Sequence, residues 1–412
     1  MNVLWFSIAP SLKDLARGGS WIGALKDIVK GSDEIDLSIA FVTADTSLPD
    51  VVEEEGVRYY PIKIHRNYIQ RRYIDIYSLK QTDKLTLAAS LEVVNKVKPD
   101  VIHVFGSEWC FGELATMTKV PIVIHMQGCW PPYRYVGGDE KTQFFSDATI
   151  HWYNPHHIFR NLLAMHGSEK RALREESILR HNTYFMCRTR WDKAIVKLYN
   201  PNAKIFHCEE ALRKEFVECN KRWKLRNDKK IRFITVGLSA IKGVREIITA
   251  AKLLTGNGFT DFDWDICGLG DFQLHEMEKQ VGIKASDVNV HAIGKKSAEE
   301  LTDELINSDF YVHASHIDNS PNAVCEAQYL GLPIISTNVG GIPSLFDEHY
   351  PQDYLVPGWD PYYLAAKIKE LASNKDVMLA MSDMNYTKAH NRHDPKHIYT
   401  QLVDIYREIA NK

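Results

Sequence analysis

The chain has 412 residues, long enough for two or three domains, with 25% charged and 45% hydrophobic residues. That composition excludes a disordered polymer, and a formal net charge of −3 excludes any global attraction to nucleic acid. Seven cysteines, odd in number and without a Cys-x-x-Cys spacing, argue for reduced thiols rather than a disulfide framework or a zinc site.

The first apolar run, 3–7, has no basic segment before it and a polar loop after it. It reads as a strand and not as a secretion signal. Arg17-Gly18-Gly19-Ser20 then forms a glycine turn into a helix at 20–29, and Gly18 and Gly19 allow a ligand to approach the backbone closely. Further buried-strand candidates lie at 37–43, 101–104, 122–126, 184–187 and 204–207, with helical patterns at 85–96 and 192–198 between them. Alternating strands and helices indicate a parallel sheet covered on both faces. His65 to Tyr73 mixes cations with aromatics, and a basic helical segment follows at 170–180. These read either as a solvated surface or as a docking face for an anionic membrane. His103 and His125 stand near the carboxyl ends of neighbouring strands, where ligands of open α/β sheets gather.

The basic run 221–230 has little core pattern and is the candidate linker, which sets domains of 1–222 and 223–395. A second series begins with strands at 232–237, 264–268, 288–293, 310–314 and 334–337, and a helix from Val244. No run of 18 apolar residues exists to span a membrane. An amphipathic helix after Pro395 ends the chain.

The densest signal is HASHIDNSPNAVCEAQYLGLPIISTNVGG, 313–341. It reads as a strand, a polar turn, a helix beginning near Pro321, and a second strand. A helix start leaves backbone N–H groups unpaired, here those of Asn322, Ala323 and Val324, and these suit a phosphate. Asp318 lies eight residues before Glu326, which is placed to accept from a pair of hydroxyls.

That pattern, with Val339-Gly340-Gly341-Ile342-Pro343 after it, resembles the nucleotide-sugar signature of family 4 glycosyltransferases. The resemblance implies an α/β GT-B fold of two Rossmann-like domains with parallel sheets facing a central cleft. The final helix, about 396–412, would return to the first domain. Glu326 would hold the nucleotide ribose and Asp318 would face the donor sugar, where the family usually has Glu. Gly237-Leu238-Ser239-Ala240-Ile241-Lys242-Gly243 resembles the family loop that grips the diphosphate: Lys242 matches, and the family arginine has no counterpart. Arg245 or Arg188 could stand in for it. Gly268, in the turn after a strand, and Ile293 would lie beside the nucleotide. His125 matches a family histidine that approaches the donor sugar, whereas His103 matches a structural position. Arg188-Thr189-Arg190-Trp191-Asp192 is similar to a bacterial subgroup associated with surface polysaccharides. In it, Arg188 and Asp192 either face the cleft or form an ion pair at a helix start.

The resemblance implies retaining, metal-independent, hexosyltransferase-like chemistry. No cofactor is needed beyond a nucleoside-diphosphate sugar as donor. Catalysis is assigned to His125, Asp318 and Lys242. The acceptor would be a glycan or a polyprenyl-diphosphate-linked glycan, met in the cytoplasm or peripherally at the inner face of the membrane. Asp263-Trp264-Asp265 sits in a buried strand and is not read as a metal motif. Two other readings stay open: a catalytically weakened nucleotide-sugar binder and a sugar-nucleotide epimerase. No Gly-x-Gly-x-x-Gly follows the first strand, which argues against a dinucleotide-dependent oxidoreductase.

Overall fold

The computed structural model describes residues 1–8, 12, 21–136, 152–237 and 240–411. The chain forms two compact units, one of Met1–Ala211 with Pro395–Lys412 and one of Leu212–Asp394.

The first unit is built on eight strands: β1 (Asn2–Ser7), β2 (Asp36–Thr43), β3 (Val52–Glu54), β4 (Val57–Lys63), β5 (Val101–Phe105), β6 (Ile122–His125), β7 (Tyr184–Cys187) and β8 (Lys204–His207). Their order is β3-β4-β2-β1-β5-β6-β7-β8, and every pairing is parallel except β3 with β4. The strands read as continuous apolar runs because helices cover both faces; Val3 to Phe6 are wholly buried. The β3–β4 hairpin is not legible as strand because Pro61 interrupts it. Pro61 is tolerated because β3 pairs with β4 only over Val57 to Tyr59, so its missing N–H falls beyond the antiparallel ladder. The basic stretch expected at 170–180 is the end of a much longer helix, Pro155–His181. That helix is capped by the Asn154 side chain, which accepts from the His157 amide, and Pro155 stands at its first turn.

The last helix, Pro395–Ala410, packs on this unit through Ile398, Leu402, Val403, Ile405, Tyr406 and Ile409. Its Tyr406 hydroxyl accepts from the indole N–H of Trp5 at 2.9 Å and shares a hydrogen bond of 2.5 Å with Nδ1 of His103. His103 thus serves the fold.

The second unit carries β9 (Ile231–Val236), β10 (Phe262–Cys267), β11 (Val290–Gly294), β12 (Phe310–His313), β13 (Ile334–Thr337) and β14 (Leu355–Val356). The sheet is wholly parallel in the order β11-β10-β9-β12-β13-β14. The chain therefore runs outward one way from β9 and the other way from β12. The basic run 221–230 is not a free connector. Trp223 within it is buried, donates its indole N–H to the Ser308 carbonyl at 2.9 Å and its amide to Leu330 at 2.8 Å. One large aromatic outweighs the surrounding charges and ties the run to the second unit.

Replacing Tyr406 by Phe keeps the ring but removes the shared hydroxyl. Trp5 Nε1 and His103 Nδ1 are then buried without it, at a cost of about 1–3 kcal/mol. The urea midpoint of the Tyr406→Phe variant should fall accordingly; an unchanged midpoint would show that the helix is held by its apolar face alone.

Candidate functional site

In an open parallel sheet, strands that run outward in opposite directions leave a crevice at their carboxyl ends. In the second unit this point lies between β9 and β12. The loop after β9 includes Gly237, Ile241, Lys242 and Gly243; the loop after β12 runs through Ala314 to Asp318. The two are fastened together. The His316 amide donates to the Ile241 carbonyl at 2.9 Å, and the Ser315 hydroxyl donates to the same oxygen at 3.2 Å. Gly243 has φ +76°, and a Cβ there would lie 2.0 Å from the Ala314 carbonyl oxygen, so only glycine allows this approach.

This fastening brings Lys242 onto Asp318 as an ion pair. His313, at the end of β12, stands 3.5 Å from the same carboxylate oxygen through Nε2. Burial would push the Asp318 carboxyl up, but Lys242 and His313 outweigh it and hold the group far below the usual carboxylate range. Burial holds the His313 imidazole below its ordinary value. The other Asp318 oxygen accepts from the Asn319 amide at 3.2 Å, and its carbonyl accepts from Gly341 at 2.8 Å. Asp318 is therefore ionised, fixed, and joined to the glycine turn after β13.

Glu326 lies inside the helix Asn322–Tyr329 and is buried. Both its oxygens are bridged by Arg213, Nε to Oε1 at 2.7 Å and Nη2 to Oε2 at 2.8 Å. Burial still pushes its carboxyl upward against the pull of Arg213. A carboxylate has about four acceptor positions, so this fork leaves room for hydroxyl donors. One expectation is corrected at the helix start. The Val324 amide donates to the Pro321 carbonyl at 2.9 Å, closing the first turn, so it is not available to a phosphate as Asn322 and Ala323 are by position.

Gly237, Gly268 and Ile293 stand at the same edge of the sheet. The Gly237 amide donates to Cys267 at 3.0 Å and the Gly268 amide to Gly294 at 2.6 Å. The β10–β11 register shifts between Ile266 and Cys267, and Ile293 is the extra residue of this bulge, between Ala292 and Gly294. Gly18 and Gly19 lie outside the described residues.

His125, in the first unit, is wholly buried at the end of β6. Its Nε2 donates to the Cys208 carbonyl at 3.1 Å, and its ring meets Trp21 edge-on at 4.9 Å. Burial, with Arg188 next in effect, pushes its pKa down to about 3. The imidazole is neutral at physiological pH and offers hydrogen bonding, not acid catalysis as an imidazolium. Arg188 reaches Glu210 at 3.2 Å and the Gln127 carbonyl at 3.1 Å. Asp192 accepts from the Arg188 and Thr189 amides, which makes it the capping carboxylate of the helix Arg190–Tyr199. Arg245 lies over the Trp359 ring, 5.6 Å from its centroid.

The polar core of the first unit also holds a group that the sequence did not announce. Glu175 accepts from the Ser107 hydroxyl and, at 2.6 Å, from the Trp130 amide. It thereby ties the loop after β5 to the loop after β6. Burial, with Glu108 second, pushes its pKa up to about 8. Arg213 and His313 were likewise missed as site residues. Arg213 follows an acidic pair in the sequence and looks like surface charge. His313 ends a strand five positions before Asp318, a spacing that marks it as a strand-end ligand group.

The family model described as glycosyl transferases group 1 matches residues 218–388. The matched residues lie within the second unit, Leu212–Asp394. Over 189 residues the chain is 28% identical to the amylovoran biosynthesis glycosyltransferase AmsK of Erwinia amylovora, covering 44% of this chain and 45% of that one. It is 28% identical over 137 residues to the D-inositol 3-phosphate glycosyltransferase of Corynebacterium urealyticum, 33% of this chain and 31% of that one. The matches thus span less than half the length of these curated relatives. Among solved structures, sucrose-phosphate synthase from Thermosynechococcus elongatus superposes with a TM-score of 0.71 at 15% identity, over 99% of this chain and 98% of that one. Anabaena HepE, solved in complex with UDP and glucose, gives 0.65 at 12% identity over 98% of both chains. These likenesses establish the GT-B fold, with its two parallel-sheet α/β domains.

Two outcomes test the site's electrostatics. Removing either partner of the Arg213–Glu326 fork leaves a desolvated charge, so Arg213→Ala and Glu326→Ala should each lose about 3 kcal/mol. The double variant should lose less than their sum in a urea double-mutant cycle; simple additivity would mean the two side chains are not coupled. Glu175 keeps its proton in the folded state and gives it up in the unfolded chain. Unfolding therefore releases a proton between the ordinary glutamate pKa and about 8, and stability falls as pH rises across that window. Melting temperatures from pH 5 to 8.5 should show this slope in wild type and a flatter one in Glu175→Gln.

Proposed function

We propose that this protein is a retaining family 4 glycosyltransferase. It moves a sugar from a nucleoside-diphosphate sugar to a hydroxyl of a glycan or of a polyprenyl-diphosphate-linked glycan in surface polysaccharide synthesis. The observation that carries the reading is the convergence of Lys242, Asp318 and the start of the Asn322–Tyr329 helix at the strand reversal between β9 and β12. The domain match supports the reaction class. The name of AmsK supports the polysaccharide setting, and the UDP and glucose in HepE support the donor class.

The donor diphosphate is the leaving group. Lys242 exchanges part of its pairing with Asp318 for the phosphates, and the Asn322 and Ala323 amides receive the charge that develops as the sugar departs. Glu326, held by Arg213, accepts from the ribose hydroxyls. Ile293 and Gly268 lie along the base through their backbone, and Gly237 lets the diphosphate lie close to the sheet. Asp318 faces the donor sugar, and His125 supplies a neutral hydrogen-bonding group. In the preferred mechanism the acceptor hydroxyl attacks the face from which the phosphate leaves. The departing phosphate takes its proton, so the anomeric configuration is retained without a metal or a covalent nucleophile.

A thermal-shift panel with UDP, GDP, ADP, CMP and NAD tests the donor site. Ligand at about 100 times its Kd stabilises by roughly 2.7 kcal/mol. One nucleoside diphosphate should shift wild type and fail to shift Lys242→Ala or Glu326→Gln; the amide is used because it spares Arg213 a missing partner. A shift indifferent to both variants would overturn the assignment of the site. A shift that is lost in both, without transfer to any acceptor, would favour the weakened binder. With an acceptor in hand, proton NMR of the fresh product should show the donor's own anomeric configuration; an inverted product would overturn the retaining mechanism.

A further inference from the structure

The first unit exposes an apolar and cationic face made from two segments far apart in sequence. One is the short helical stretch from Gln70–Ile74 into Asp75–Tyr77; the other is the helix Pro155–His181 as far as Leu173. They lie side by side. The Tyr73 hydroxyl meets Nε2 of His156 at 2.5 Å, and Tyr77 stacks on His166 at 4.6 Å between centroids. Gly167 allows the contact, since a Cβ there would stand 1.8 Å from the Ile76 carbonyl oxygen.

The outer surface of this pair is unusual. Tyr68 is 65% exposed and Ile69 63%, with Ile74 and Tyr77 exposed beyond them. On the long helix Phe159 is 52% exposed, and Leu162 and Leu173 follow it at spacings that return to the same side. Trp152, just before the helix, is 75% exposed. A core-facing stripe would be covered; this one is not. Cations are set among the rings. The Arg72 guanidinium lies over Tyr68, 6.0 Å from its centroid, Lys170 Nζ lies over Tyr77 at 4.0 Å, and Arg71 is exposed. The carboxylates do not balance them. Asp75 is consumed by Arg66 (Nη2 to Oδ1, 2.6 Å) and by Thr82 (2.7 Å), which leaves Glu169 as the exposed acid of these two stretches.

We propose that this face docks the protein on an anionic lipid bilayer surface. Aromatic rings with a polar tip settle at the headgroup level, and cations between them meet the negative surface potential. No helix among the described residues is long and apolar enough to cross a membrane, and this face suits contact with the bilayer surface. The charge pattern favours this occupant over a second copy of the chain, whose identical face would bring like charges together. The face belongs to the first unit, and the inference stands without the transferase assignment.

The test is co-sedimentation of the whole chain with vesicles of phosphatidylcholine alone or mixed with phosphatidylglycerol. The expected result is binding to the mixed vesicles, weakened by 0.5 M salt. Roughly fivefold should be lost for each cation removed from the face, equivalent to about 1 kcal/mol. Arg71→Glu with Arg72→Glu should abolish binding, Trp152→Ala with Phe159→Ala should weaken it, and the remote Lys119→Glu should leave it intact. Arg71, Lys119, Trp152 and Phe159 are exposed and Arg72 is partly so, and unchanged melting temperatures will show that the variants fold. Equal binding to neutral vesicles, no binding to either, or indifference to the charge reversals would each overturn the proposal. So would a concentration-dependent dimer in analytical ultracentrifugation that the same reversals change.

Discussion

A carboxylate taken out of water must be neutralised where it stands, and Asp318 is such a group. Its place after β12 is fixed by the sheet, so its partners must come to it. Lys242 comes from the loop after β9 and His313 from the end of the same strand. For Lys242 to arrive, the loop that carries it must lie directly on Ala314 to His316. The carbonyl of Ile241 and the missing side chain of Gly243 achieve this. The glycine turn after β13 is drawn in through Gly341. One buried charge thus organises three loops at the carboxyl edge of the second sheet.

The same helix-and-loop segment handles its second acid differently. Glu326 is also buried, but its partner is an arginine whose planar fork matches both oxygens. Its two close N–H donors come from the segment just before the short helix Lys214–Val217, and they hold that segment against the helix around Glu326. Lysine at Asp318 is a point charge on a flexible stem, and it can be shared with an arriving phosphate. Arginine holds Glu326 through two directed bonds, and lysine meets Asp318 as a single point charge. That difference is what a site needs if the ribose is to be held while the diphosphate is engaged and released.

Much of this architecture was readable because parallel strands buried on both faces leave long apolar runs, and the 313–341 stretch carries its turn and helix-start residues in order. The β3–β4 hairpin was hidden by Pro61, whose cost is visible only once the end of the ladder is known. The basic run 221–230 looked like a connector because charge dominates its composition, whereas Trp223 is held by its burial and its bonds to Ser308 and Leu330. Arg213 was unreadable for a related reason: a pairing over more than a hundred positions leaves no local spacing to detect. The amide of Val324 was assigned to a ligand because a helix start implies free donors. The Pro321 carbonyl takes it, a competition that depends on the turn's dihedral angles and not on residue type.

The substitution of aspartate for the usual acid at 318 can be judged from this geometry. A side chain one methylene shorter keeps its carboxylate close to its own backbone, where the Asn319 amide donates to it. A longer acid would reach farther from the strand end. The shorter acid therefore gives up reach for a tighter junction of β9, β12 and β13 loops.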